Sequence, residues 1–115
     1  MRVDGTNLSM IRGDSESITI SLTDSDQEAV VLTTDDDTIY FTVKLNTSVE
    51  AKILQKVITE FDVEGTAIIE INPPDTKELP YKSYKYDIQW VDKDGKVRTI
   101  VAPSVFTIEP EVTFE

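Results

Sequence analysis

The chain contains neither cysteine nor histidine. Without cysteine there are no disulfides, zinc–thiolate sites or thiol nucleophiles. Without histidine, Ser–His–Asp and Cys–His machinery is excluded as well. No side chain then has an ordinary pKa near neutrality, so acid–base chemistry would need a strongly shifted carboxylate or lysine. Glycine is scarce, four residues scattered along 115, and no phosphate-binding glycine loop is present. Long apolar runs are missing too: Met1-Arg2-Val3-Asp4-Gly5-Thr6-Asn7 carries no signal-peptide core, and no later segment is long enough to span a bilayer. Synthesis in the cytoplasm is the expectation, with release inside a particle as the route to any outside role.

Basic residues are few. Eleven Lys and Arg stand against 22 Asp and Glu, for a net charge of −11. Such a surface repels phosphate backbones and anionic headgroups, so neither nucleic acid nor a membrane is expected as a partner. The 22 carboxylates always permit a glycosidase-type pair to be drawn, so that possibility carries little weight. We expect no enzyme, no cofactor and no small-molecule substrate.

The length suits one domain, residues 1–115, with 1–8 as a polar N-terminal arm and 111–115 as a C-terminal tail. The apolar residues recur with period two, the mark of half-buried strands. Ile18, Ile20 and Leu22 form one such set; Ile39, Phe41, Val43 and Leu45 a second; Tyr84, Tyr86, Ile88 and Trp90 a third. Further strands are predicted at 9–11, 65–71, 96–101 and 105–108. Asp62-Val63-Glu64-Gly65 reads as a tight reversal, and Asp92-Lys93-Asp94-Gly95 as a hairpin turn in which Gly95 takes positive φ. Residues 48–61 fit two readings. Thr47-Ser48-Val49-Glu50 resembles a helix capping box, whereas the Ile- and Val-rich stretch 51–61 suits a strand turning back at Gly65. The strand is preferred, because nothing else in the chain is helical. Three prolines exclude a strand over 73–80, where Asp75 or Thr76 would cap one helical turn near 75–79. Seven to nine short antiparallel strands predict an all-β, immunoglobulin-like sandwich, with a corner in which Tyr84, or else Tyr86, bonds back to the preceding loop.

Several features invite a functional reading. Asp24, Asp26, Asp92 and Asp94 offer the oxygen ligands that Ca²⁺ prefers, as do Asp35, Asp36 and Asp37. Aspartate is equally a turn former, and the turn role is adopted, so no metal site is expected. Arg12-Gly13-Asp14 spells an integrin-recognition tripeptide but more simply makes a turn. Trp90 shares a strand face with Tyr84 and Tyr86 and is assigned to the core. Tyr40, Tyr81 and Phe114 remain as candidate interface residues.

The order of segments, rather than any one of them, resembles a known family. Ile11-Arg12-Gly13-Asp14, Phe41-Thr42-Val43-Lys44, Pro74-Asp75-Thr76, Leu79-Pro80, Tyr84-Lys85-Tyr86-Asp87-Ile88-Gln89, Asp94-Gly95-Lys96-Val97 and Phe106-Thr107-Ile108 follow one another as in small phage- and prophage-encoded virion proteins. These are immunoglobulin-like domains of tail, neck and baseplate components, similar to the N-terminal domains of upper baseplate proteins. The chain departs from them at Lys82-Ser83, where such relatives place glycine. The resemblance implies an assembly role in a virion after synthesis in a bacterial host. Its partners would be other virion proteins or further copies of itself, and it supplies no catalytic residues. The alternative is a carbohydrate- or receptor-binding sandwich, with stabilisation by Ca²⁺ as one version of it.

Overall fold

A computed structural model describes residues 1–23, 26–62 and 65–112. Ten strands occur among them: β1 Arg2–Asp4, β2 Asn7–Ile11, β3 Glu16–Ile20, β4 Leu22–Thr23, β5 Ala29–Val30, β6 Thr38–Lys44, β7 Lys52–Ile58, β8 Ala67–Ile71, β9 Ser83–Val91 and β10 Val97–Glu109. A single helical turn, α1, covers Pro73–Thr76. Six strands form one sheet in the order β1-β2-β10-β9-β6-β7, while β3 pairs with β8 and β4 with β5.

Alternation decides which side chains enter the core. Along β6, Ile39, Phe41 and Val43 are buried, while Thr38, Tyr40, Thr42 and Lys44 stay partly exposed. On β9, Tyr84, Tyr86 and Ile88 turn inward; on β8, Ala67, Ile69 and Ile71 do so. These residues belong to one apolar cluster that β3 joins through Ile18 and Ile20. The β3–β8 pair thus contributes to the same core as the inner face of the six-stranded sheet. At its centre the rings of Phe41, Tyr86 and Phe106 meet at 5.4, 6.0 and 6.3 Å between centroids. Three mutually packed aromatics, two pairs edge-on and the Phe41–Tyr86 pair tilted, bury far more area than an aliphatic trio would.

The stretch 52–58 is a strand, pairing with β6 from Ile39↔Ile58 to Val43↔Leu54, and not a helix. Tyr84 makes the corner bond: its hydroxyl donates to the Pro80 carbonyl at 2.8 Å. Tyr86 instead donates to the carbonyl of Thr6.

Other expectations are corrected. The strands are not all antiparallel, because β2 runs parallel to β10, from Leu8↔Phe106 to Ile11↔Glu109. Residues 1–8 are not a free arm: β1 folds back on β2 through Gly5 at φ +63°, and Leu8 is buried. The strands expected at 96–101 and 105–108 are one strand, β10, with register shifts between Thr99 and Val101 and between Val101 and Ser104. These bulges restore the inward phase of Ser104, Phe106 and Ile108 and accommodate Pro103, which has no N–H to give a ladder. The helical turn begins earlier than expected because Asn72 is its cap, and the Asp75 carboxylate accepts the Asn72 N–H at 2.7 Å. Helix-capping geometry favours a carboxylate three residues into the turn, which is where Asp75 stands. No helix among the described residues is long and apolar enough to cross a membrane.

Candidate binding face

Two of the candidate aspartates, Asp92 and Asp37, are occupied by backbone N–H groups of their own loops. Asp92 accepts the N–H of Asp94 at 2.9 Å and of Lys96 at 3.1 Å, and its second oxygen takes Arg98 at 2.8 Å. The Arg98 bond leads in holding its carboxyl below the ordinary range, against a smaller effect of burial, with the two backbone donors adding to it. Gly95, at φ +83°, closes this turn. Asp37 is nearly buried: one oxygen accepts the Thr33 N–H at 2.8 Å and the other accepts the Trp90 indole N–H at 3.0 Å. Trp90 is half-buried against the core, with the Arg98 guanidinium 4.9 Å over its ring. Asp26 and Asp94 lie exposed in separate loops, and Asp24 falls outside the described residues. Among the described residues no cluster of three acidic side chains is arranged to hold a metal ion.

Arg12-Gly13-Asp14 is built into the fold. The Gly13 N–H donates to Thr76 Oγ1 at 2.8 Å, and Thr76 is fully buried. Arg12 donates to the Leu79 carbonyl and to Glu111, and its guanidinium stacks 4.1 Å from the Tyr81 ring centre. Tyr81 is therefore exposed yet engaged by a cation on one side. Phe114 lies outside the described residues.

Tyr40 has a different setting. It points from β6 to the outer face of the six-stranded sheet, where a groove of about 390 Å³ opens over β7, β6 and β9. Register explains the groove's chemistry. Lys44 is paired with Lys52 of β7 on one side and with Lys85 of β9 on the other, so three lysines stand in a row across adjacent strands. The next row holds Gln55, Thr42 and Asp87; the one beyond holds Val57, Tyr40 and Gln89. Gln55 Nε2 donates to Thr42 Oγ1 at 3.0 Å, and Lys52 Nζ donates to Gln55 Oε1 at 3.4 Å. Among the described residues Asp87 is the one acid lining the groove; burial raises its pKa, and nearby Lys44 offsets part of that rise. Pro103, lifted by the β10 bulge, forms a wall.

Sequence reasoning picked out Tyr40 and missed the lysines. Lys44 and Lys85 were each legible as outward residues of their strands. What put them side by side was the pairing register, which no local pattern reveals. Comparison of the chain with protein-family models, with curated proteins and with solved structures gives no match.

Proposed function

We propose that this chain is a non-catalytic assembly module of a phage or prophage virion, working through protein–protein contacts in a tail, neck or baseplate. On this reading its fold is an immunoglobulin-like sandwich. The observation that carries the proposal is the strand order β2-β10-β9-β6-β7 with β3–β8 over the core, combined with the Tyr84 corner. A two-sheet arrangement with the tyrosine corner before its penultimate strand is the arrangement of immunoglobulin-like domains. The segments that resemble virion proteins supply its structural centre: Tyr84–Gln89 lies within β9, and Asp94–Val97 makes the β9–β10 turn. With no histidine or cysteine in the chain, the reading needs no chemistry that the residues cannot supply.

The two edges of the six-stranded sheet differ in a way that suits assembly. Edge strand β7 carries Lys52 and Lys56 and a register shift, devices that discourage uncontrolled strand addition. Edge strand β1 is three residues long, with Val3 66% exposed, and Ile11 at the end of β2 is 45% exposed. Apolar residues at a short, open edge favour the β1 side as the contact with a neighbouring subunit.

The test is the composition of particles. Virions from the culture that produces this chain are banded on a density gradient and digested for mass spectrometry. The proposal expects peptides of this chain to follow the tail proteins in fixed ratio. Their confinement to the particle-free fractions would reject it.

A further inference from the structure

From the outer face of β7, β6 and β9 we infer a binding site for a saccharide that carries a carboxylate. The inference stands on this groove alone and is independent of the assembly role. Three observations carry it.

The first is the lysine row. Like charges placed directly opposite on neighbouring strands oppose folding, so Lys52, Lys44 and Lys85 stand in register at a cost to stability. Acids outnumber bases two to one in this chain, yet neither Lys44 nor Lys85 enters any of the ion pairs formed among the described residues. The polar partner of Lys52 is the neutral amide of Gln55. An arriving carboxylate would meet three ammonium donors that face one carboxylate of the groove, Asp87, whose charge Lys44 already feels, and hydrogen bonds to charged groups are the strong ones.

Second, the backbone of β6 and β9 cannot do the binding. Strand β6 is paired on both sides, with β7 and β9, and β9 with β6 and β10. Of the three strands β7 alone has an open edge, and its lysines and register shift discourage an added peptide strand, so over β6 and β9 recognition rests on side chains. Third, those side chains suit a hydroxylated ring. Gln55, Gln89 and Thr42 offer both donors and acceptors, Asp87 accepts, and the half-exposed Tyr40 offers a flat face to sugar C–H groups. The register shifts at Val43/Lys44 and Val101/Ser104 bound the groove, and its volume of about 390 Å³ falls in the range of small-ligand sites.

The experiment is a backbone-amide NMR titration of the full chain with trigalacturonic acid. Parallel titrations use maltotriose, inorganic phosphate and a hexaglutamate peptide. We expect saturable shifts confined to β6, β7 and β9 with the uronide and none with maltotriose. The Lys44→Gln/Lys85→Gln double variant should bind about tenfold more weakly or worse, as expected for losing charge-assisted hydrogen bonds. It should melt no lower than the parent, because the substitutions relieve repulsion. Lys93→Gln, in the β9–β10 turn, should leave binding unchanged. The inference is overturned by an absence of shifts at millimolar uronide or by an equal response to maltotriose. Binding of phosphate or hexaglutamate at these residues as tight as that of the uronide would overturn it too.

Discussion

The turn between β7 and β8 makes the sharpest stability prediction. Gly65 sits at φ +77°, and a Cβ built there would lie 2.5 Å from the Leu32 backbone nitrogen and 2.6 Å from the Val31 Cα. The approach is fixed by hydrogen bonds: Gly65 N–H to the Asp62 carbonyl at 3.0 Å and Leu32 N–H to the Gly65 carbonyl at 3.4 Å. It presses Leu32, 2% exposed, into the core. Gly95 shares the positive φ, at +83°, but has nothing within 4 Å of the same position. The two glycines therefore separate conformational strain from steric exclusion. Gly95→Ala should cost only the left-handed strain, about 1 kcal/mol. Gly65→Ala adds a clash with backbone that cannot swing aside, and overpacking adds about 1–3 kcal/mol more. At about 4 °C per kcal/mol for a domain of this size, the melting temperature should fall by about 4 °C for Gly95→Ala and by about 8–16 °C for Gly65→Ala. Thermal melts followed by circular dichroism measure both. Equal losses, or a larger loss at Gly95, would refute the close approach of the two chain segments.

Three further outcomes are expected. Tyr84→Phe removes the bond to the Pro80 carbonyl and should destabilise the fold by about 1 kcal/mol in urea unfolding, with an unchanged m-value; no loss would remove the corner as a structural element. Burial acts to raise the Asp75 pKa, but the Lys56 hydrogen bond, the Asn72 N–H and the Lys56 charge outweigh it, so the net shift is downward. A lowered folded-state pKa contributes stability above the unfolded value that disappears as pH falls through the folded one, so Asp75→Asn should flatten the acid limb of stability below about pH 4; an unchanged limb would contradict the pairing. Because Asp92 is already committed to two backbone donors and Arg98, millimolar Ca²⁺ should leave the melting temperature where EDTA leaves it; a rise with Ca²⁺ would refute that occupancy.

The sequence pattern carried the middle of the fold better than its ends. Strands β6 and β9 were readable because Ile39, Phe41 and Val43, and Tyr84, Tyr86 and Ile88, alternate strictly with polar residues. Strand β7 was less readable: its Ile53, Leu54, Val57 and Ile58 fit neither period cleanly, and a bulge beside Lys44 breaks the alternation. The parallel meeting of β2 with β10 joins residues about a hundred positions apart, and local propensity does not select a distant partner. The β1–β2 hairpin escaped notice because β1 offers one apolar residue, Val3, and that residue faces solvent. For the site, the residue types were visible and their adjacency was not. Tyr40 stood out as a surface aromatic, whereas Lys44, Lys52 and Lys85 became a group only once three strands were in register. The cap of α1 was misplaced for a simpler reason. Asp75 and Asn72 are both good capping residues, and it is the two prolines at 73 and 74, suited to the first helical positions, that favour Asn72.

The assembly role is tested most directly by electron microscopy of particles made when the gene for this chain is interrupted. The account predicts particles whose tail, neck or baseplate is incomplete, restored when the intact chain is supplied in trans. Complete, infectious particles made without the chain would contradict it.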